Sequence, residues 1–149
     1  MATTSNSLSD QMEQDILNHL LGTMALSDNT SFDLELKLYT GDPGDDGTAG
    51  GTELDNINSP GYASQFIQRS DVTVQQDGTG YAATFNSTVE FEATGNWTQD
   101  PAWLAIFDGS SNMLFRGEID DGTTAFTSSD MTSGKKLQFT SGNLKFKLS

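Results

Sequence analysis

Apolar and polar residues alternate along most of the chain, and this period of two is typical of half-buried antiparallel strands. The clearest case is segment 32–39, where every second residue from Phe32 to Leu38 is apolar. Ser141-Gly142 separates the last two apolar segments and predicts a closing hairpin. Further strands are predicted at Tyr62–Gln68, Asp71–Gln75, Tyr81–Phe91, Trp103–Phe107, Asn112–Ile119, Leu137–Thr140 and Asn143–Leu148. Short strands separated by regular turns predict a mainly β protein, an antiparallel β-sandwich of jelly-roll type.

The N-terminal part of the chain has a different period. From Leu8 to Leu21 apolar residues recur every three or four positions, which predicts one amphipathic helix, and Gly22 stands where a glycine ends helices. Residues 1–7 are small and polar and predict a flexible arm. We therefore expect an arm and helix over residues 1–22 and a β-sandwich domain over 23–149. The helix either packs on this domain or docks on a capsid or a neighbouring subunit through Leu8, Met12, Ile16, Leu17 and Leu20.

The charge of the chain restricts its partners. The net charge is -14 and the sequence pI is about 4.1. Nucleic acid and anionic membranes repel such a chain, so we expect neither as a partner. The absence of cysteine excludes disulfides and thiolate metal sites. Four of the seven basic residues lie from Lys135 to Lys147. Lys145 and Lys147 alternate with apolar residues on the last predicted strand, whose polar face is either solvated or meets an acidic neighbour.

Residue types used in catalysis are sparse. His19 is the only histidine, and no G-x-S-x-G motif supplies a nucleophile, so a catalytic triad is not expected. Glu90 and Glu92 alternate with apolar residues as the wet face of a strand, and Asp120-Asp121 precedes Gly122 in a turn. We therefore predict that the protein is not an enzyme, with no catalytic residue, no cofactor and no metal.

The acidic loop after segment 32–39 matches part of the EF-hand pattern. Asp42, Asp46 and Glu53 occupy ligand positions of that pattern, whereas Gly44 and Gly50 stand where ligands are needed. A solvated acidic turn is therefore the main interpretation. The alternative is a loose calcium site formed by Asp42, Asp45, Asp46 and Glu53.

Aromatic residues suggest a surface for sugar stacking. Trp103 alternates with Ala105 and Phe107, which is the pattern of an inward strand face. Trp97 follows a Gly-Asn turn, and Tyr62 follows Gly61. Trp97 and Tyr62 are therefore the candidate glycan contacts, with core packing as the alternative.

Several short motifs follow one another in a fixed order. The first are Leu20-Leu21-Gly22, Leu36-Lys37-Leu38-Tyr39-Thr40, Asp42-Pro43, Gly51-Thr52-Glu53 and Gly61-Tyr62-Ala63. The later ones are Trp103-Leu104-Ala105-Ile106-Phe107-Asp108, Leu114-Phe115-Arg116-Gly117, Leu137-Gln138-Phe139 and Ser141-Gly142-Asn143-Leu144. In this order, over residues 17–148, the chain resembles the β-sandwich family of phage tail-fibre-like and head-decoration proteins, which includes capsid cement proteins. Ser64 stands where that family often has arginine, and Gly109-Ser110-Ser111-Asn112 replaces a glycine-rich turn.

The resemblance implies a structural protein of the phage virion, made in the host bacterial cytoplasm. The main expectation is a capsid decoration or cement protein, bound as a homotrimer to the major capsid protein on the outer capsid surface. It would stabilise the head across capsomer joints, with residues 1–21 supplying the contact. The first alternative is a tail-fibre or receptor-binding module that contacts host-surface glycan. The second is a calcium-dependent β-sandwich binding module.

Overall fold

The computed structural model describes residues 7–8, 33–45, 50–77, 80–119, 124 and 126–148. This part of the chain is mainly β, and every strand pair in it is antiparallel. Two single-turn 3-10 helices, Arg69–Asp71 and Ser128–Asp130, are the helical elements described. The strands are β1 (Ser7–Leu8), β2 (Leu34–Tyr39), β3 (Gln65–Ile67), β4 (Val72–Asp77), β5 (Gly80–Phe85), β6 (Val89–Glu92), β7 (Trp103–Phe107), β8 (Met113–Glu118), β9 (Lys136–Phe139) and β10 (Lys145–Leu148).

The strands form three sheets. A five-stranded sheet has the order β1-β8-β7-β2-β3, a three-stranded sheet has the order β10-β5-β4, and β6 pairs with β9. The predicted strand Trp103–Phe107 is confirmed with the same bounds, whereas β3 is shorter than the predicted segment Tyr62–Gln68. The prediction of a mainly β chain with antiparallel sheets is therefore confirmed.

One apolar core receives residues from all three sheets. The alternation in β2 places its leucines on one face, and burial of each such side chain stabilises the fold by about 1.5–3 kcal/mol. The core includes Leu34, Leu36, Leu38, Leu104 and Ile106 from the five-stranded sheet, and Phe85, Val89, Phe91 and Leu137 from the other two.

The central strand β7 is buried on both faces. All five of its residues are buried, which explains its continuous apolar sequence. Leu104 and Ile106 enter the main core, whereas Trp103, Ala105 and Phe107 form a second cluster on the opposite face with Tyr39. Trp103 and Phe107 are therefore buried, as predicted, but on the face of β7 opposite to the main core.

The segments 80–92 and 136–148 run side by side through two consecutive ladders, β5 with β10 and β6 with β9. Thr84 lies opposite Lys145, and Val89 lies opposite Phe139, so four residues (85–88) face five (140–144). This bulge-like mismatch interrupts the pairing and divides the predicted strand Tyr81–Phe91 into β5 and β6.

The predicted closing hairpin between the last two strands is wrong. β9 and β10 pair with β6 and β5, not with each other. The N–H of Gly142 donates to the carbonyl of Phe85 at 2.8 Å, and the N–H of Phe85 donates to the carbonyl of Leu144 at 3.1 Å. The chain at Ser141-Gly142 therefore continues along a distant partner instead of folding back on itself.

The predicted N-terminal helix is not seen among the described residues. Leu8, its first predicted residue, lies in β1 opposite Phe115, and Ser7 lies opposite Arg116. The free edge of β8 supplies ladder partners that override the local helical spacing, and Ser7 belongs to this strand rather than to a flexible arm. The other predicted contact residues, Met12, Ile16, Leu17 and Leu20, and the domain boundary after residue 22 lie outside the described residues.

Candidate functional site

The acidic loop begins and ends in paired backbone. The N–H of Thr40 donates to the carbonyl of Thr52, and the N–H of Leu54 donates to the carbonyl of Leu38, both at 2.9 Å. At the base of the loop the two chain segments are in close contact, since a Cβ on Gly51 would lie 2.1 Å from the carbonyl oxygen of Gly41. This approach requires glycine at position 51 and fixes where the loop leaves the sheet.

Arg116 on β8 holds the first half of this loop. Its Nη1 lies 2.7 Å from Oδ1 of Asp42, and its Nη2 lies 2.6 Å from Oδ1 of Asp45. The same Asp42 oxygen accepts a hydrogen bond from the N–H of Gly44 at 2.9 Å. Two of the four side chains suggested as calcium ligands, Asp42 and Asp45, are therefore paired with a guanidinium, whereas Asp46 lies outside the described residues. In the described part of the chain, no group of three acidic or histidine side chains is arranged to hold a metal ion.

Glu53, the remaining calcium candidate, belongs to a different cluster. Its Oε2 lies 3.3 Å from Nζ of Lys37, and its Oε1 accepts a hydrogen bond from the hydroxyl of Tyr62 at 3.2 Å. The Tyr62 hydroxyl in turn accepts from the N–H of Leu38 at 3.1 Å. Burial raises the pKa of Tyr62 well above its usual value, and the Glu53 carboxylate adds to this rise. Burial also raises the pKa of Tyr39 to about 12, with Glu53 again contributing.

The two predicted glycan contacts, Tyr62 and Trp97, meet each other inside the molecule. Tyr62 is 8% exposed and Trp97 is 4% exposed. Their rings make an edge-on contact with centroids 6.3 Å apart, and Tyr62 also stacks on Phe91 at 6.0 Å. The indole N–H of Trp97 donates to the carbonyl of Pro60 at 3.0 Å. This packing matches the core alternative, and the glycan role of these two residues remains a prediction without structural support.

Sequence reasoning missed the turn that positions this aromatic pair. One carboxylate oxygen of Asp55 accepts hydrogen bonds from the backbone N–H groups of Ile57 and Asn58 at 2.9 and 2.8 Å, and the other accepts from Gln99 at 3.1 Å. Hydrogen bonds from Asn58, through side chain and backbone, hold the pKa of Asp55 below its usual value. The Asp-Asn-Ile-Asn-Ser-Pro-Gly sequence is a typical turn composition and is the signal that identifies it.

Glu90 and Glu92 lie on one face of β6, as predicted. Lys136 on β9 contacts both, with Nζ at 2.8 Å from Glu90 Oε2 and 3.7 Å from Glu92 Oε2. Gln138 also donates to Oε1 of Glu90. These hydrogen bonds lower the pKa of Glu90, and the hydrogen bond to Glu90 raises the pKa of Lys136. The second acidic pair considered for chemistry, Asp120-Asp121, lies outside the described residues.

An open groove separates β3 from the chain around β6. The chain before β3 and the chain after β6 are joined where the N–H of Thr94 donates to the carbonyl of Pro60 at 2.9 Å, and residues of both segments line the groove. The groove has a volume of about 420 Å³, and Phe66 at its side is 64% exposed. Sequence analysis missed this groove because its walls come from two segments about twenty residues apart. Its lining residues are Gln65, Phe66, Ile67, Ser87, Thr88, Val89 and Glu90.

Comparison with known protein families places the chain in one of them. No helix in the described part of the chain has the length and apolar character needed to cross a membrane. No curated protein matches the chain in sequence. A family model described as podophage GP4 fiber I protein gp80 matches residues 7–147, which is nearly the whole sequence. The chain therefore belongs to the gp80 family of podophage fibre I proteins and is a structural protein of the phage virion.

Proposed function

We propose that the protein is a component of a phage fibre rather than a capsid decoration protein. The observation that carries this proposal is the family match over residues 7–147, because the family is described as a fibre protein. The match supports the fibre alternative better than the capsid-cement function that the sequence analysis favoured. We further propose that the sheets enclosing the main core form a β-sandwich, since residues of all three sheets meet in that core.

The sheet ends supply surfaces for assembly into a fibre. Among the described strands, β4 and β10 lie at the two ends of the three-stranded sheet, and each presents an edge without a ladder partner. Such edges can pair with another chain. Because the chain carries a net charge of -14, copies of it repel one another, so a fibre built from them needs contacts of this kind. A homotrimer is one assembly that these edges permit.

We propose that the protein acts by binding and not by catalysis. Several acidic side chains in the described part lie against cations, Asp42 and Asp45 against Arg116, and Glu90 and Glu92 against Lys136. Carboxylates paired in this way are acceptors for recognition or structure, whereas a catalytic acid requires a raised pKa. The pKa of Glu90 is instead lowered.

Immunogold labelling of virions tests the fibre proposal. Antibodies against the purified protein should place gold on fibres that project from the tail, and virions grown without the protein should lack those fibres. Gold distributed over the capsid, with fibres intact in the deletion, would restore the capsid-decoration function. A known tail protein and the major capsid protein, labelled in parallel, mark the two locations.

A further inference from the structure

The groove between β3 and β6 carries both hydrogen-bond donors and hydrogen-bond acceptors. Nε2 of Gln65 donates to the carbonyl of Ala63 at 3.0 Å, which fixes the amide and leaves its Oε1 as an acceptor. Oγ1 of Thr88 accepts from the N–H of Ser141 at 3.3 Å, so its own proton remains to be donated. A ligand whose groups both donate and accept matches this pair, and hydroxyl groups do so.

Glu90 adds an acceptor with a fixed orientation. Lys136 holds one of its carboxylate oxygens, and Gln138 holds the other. Each oxygen retains a further lone pair, and charged acceptors form the stronger hydrogen bonds to neutral donors. Because the ion pair fixes the carboxylate before any ligand arrives, little conformational entropy is lost on binding.

Phe66 places an apolar surface at the groove, on the face of β3 opposite to Gln65. Its side chain is 64% exposed, although a phenylalanine is usually buried. Ile57 at 89% and Val74 at 68% are the other exposed large apolar residues in the described part of the chain, and they do not line the groove. An exposed ring beside fixed polar groups suits a ligand with one apolar face and several hydroxyls, as a sugar ring has.

The shape of the groove favours a small ligand over an added peptide strand. β3 has three residues, and Ser87 and Thr88 lie outside the strands, so neither wall offers the edge length that stable strand pairing needs. The volume of about 420 Å³ lies within the range of about 300–1,000 Å³ found for small-ligand sites. The net charge of -14 disfavours an anionic ligand.

We propose that this groove binds a neutral saccharide, with Phe66 against the C–H face of a sugar ring and Thr88 and Glu90 hydrogen bonded to its hydroxyls. The biological setting rests on the proposed fibre function, since a fibre meets the saccharides of the bacterial surface. The binding itself is a property of the purified protein.

Binding of the purified full chain to an immobilised saccharide panel tests this inference. The panel contains glucose, galactose, mannose, rhamnose, N-acetylglucosamine and N-acetylgalactosamine, alone and as short oligomers, together with uronic-acid polymers. We expect at least one neutral saccharide to bind. Phe66→Ala and Thr88→Val should each weaken that binding about tenfold, since stacking and a directed hydrogen bond are each of that order. Ile57→Ala and Val74→Ala, which change exposed apolar residues outside the groove, should leave it unchanged.

Several results would overturn the inference. They are the absence of neutral saccharide binding, binding only to uronic-acid polymers, or neutral binding that Phe66→Ala and Thr88→Val leave intact in variants with unchanged circular dichroism. If Phe66→Ala alters sedimentation but not saccharide binding, the groove is a contact between copies and the inference is wrong.

Immunogold labelling and saccharide binding, measured separately, distinguish this inference from the proposed function. Fibres that label normally while the wild-type protein binds no saccharide show a correct fibre role and a wrong ligand. Gold on the capsid, with saccharide binding that depends on Phe66, shows a correct ligand and a wrong fibre role.

Discussion

Arg116 Nη1 lies 2.7 Å from Asp42 Oδ1, and this ion pair joins β8 to the loop that follows β2. The Arg116 side chain is 13% exposed, and its guanidinium also lies 6.0 Å from the centroid of the Trp103 ring. A planar guanidinium reaches Asp42 and Asp45 simultaneously, which a lysine ammonium at the same place does not. The loop is therefore held by the geometry of arginine and not by positive charge alone.

Replacement of Arg116 tests this role. We expect Arg116→Lys to lower the free energy of unfolding by about 1 kcal/mol, which corresponds to a Tm decrease of about 2–4 °C in a chain of this size. Protease cleavage between Gly41 and Gly51 should become faster. Lys136→Met is the control, because it removes ion pairs on an exposed strand face and should leave both Tm and cleavage unchanged. Equal effects of the two variants would contradict a special role of Arg116.

Gly51 and Gly41 form a matched pair of substitution sites. A Cβ on Gly51 would lie 2.1 Å from the carbonyl oxygen of Gly41, whereas the nearest atom to a Cβ on Gly41 is 3.7 Å away. Backbone must move to accept Gly51→Ala, and we expect a loss of about 2 kcal/mol or more. Gly41→Ala should change stability by less than about 0.5 kcal/mol. Chemical denaturation measures both, and similar losses for the two variants would show that the loop base adapts.

Tyr62→Phe should destabilise the fold although the ring remains. The substitution removes the hydroxyl that accepts from the N–H of Leu38 and donates to Glu53. The Leu38 N–H is then buried without a partner, which costs about 1–3 kcal/mol. Urea denaturation checks the loss, and unchanged stability would mean that water replaces the hydroxyl. Tyr39→Phe, for which no such backbone hydrogen bond is found among the described residues, is the comparison variant.

Alkaline pH should unfold the protein through its buried tyrosines. In the unfolded chain tyrosine has a pKa of about 10. In the folded protein burial raises the pKa of Tyr39 to about 12, and burial raises the pKa of Tyr62 as well. Below pH about 10 both states keep the proton, so stability does not depend on these groups. Between about pH 10 and 12 the unfolded state loses the proton first, and stability falls as pH rises.

The measurement is Tm against pH, together with tyrosinate absorbance. We expect the absorbance of the buried tyrosines to appear only as the protein unfolds, and the decrease in Tm with pH to be shallower in the Tyr39→Phe/Tyr62→Phe double variant. The double variant starts from a lower stability, so the slopes and not the absolute values are compared. Ionisation of both tyrosines in a folded protein would contradict their burial.

The sequence predicted the strands better than their pairing. In β2 and β7 the apolar residues are the buried ones, so the local pattern contains the information that defines the strand. The strand predicted at Trp103–Phe107 is therefore confirmed with the same bounds. The hairpin at Ser141-Gly142 is wrong, and Leu8, the first residue of the predicted helix, lies in β1 instead. In both places the backbone partner lies far away in sequence, and local spacing contains no information about it.

The candidate site was less predictable than the fold. Tyr62 and Trp97 attracted attention as aromatic residues, but a ring type does not say whether its faces are buried, and here both rings lie in the core. Phe66 lies in a predicted strand and carried no signal, yet its ring is exposed. The groove is lined by two segments that are separated in sequence, and their placement side by side is a property of three-dimensional structure.

Salt should strengthen the association of this protein with copies of itself. Acidic residues outnumber lysine and arginine by 21 to 7, so identical subunits repel over a distance that added salt shortens. The screening length falls from about 30 Å at 0.01 M salt to about 3 Å at 1 M salt. Lys145 and Lys147 on the edge strand β10 offer the opposing contribution, because they can pair with acidic groups of a neighbour. Exposed pairs of this kind contribute about 0–1 kcal/mol each, which does not offset the repulsion.

Sedimentation of the purified protein across this salt range should therefore show larger assemblies as salt increases, and Lys145→Gln/Lys147→Gln should behave similarly. Assemblies that dissociate as salt rises, and that the double lysine variant fails to form, would instead identify β10 as an ionic interface.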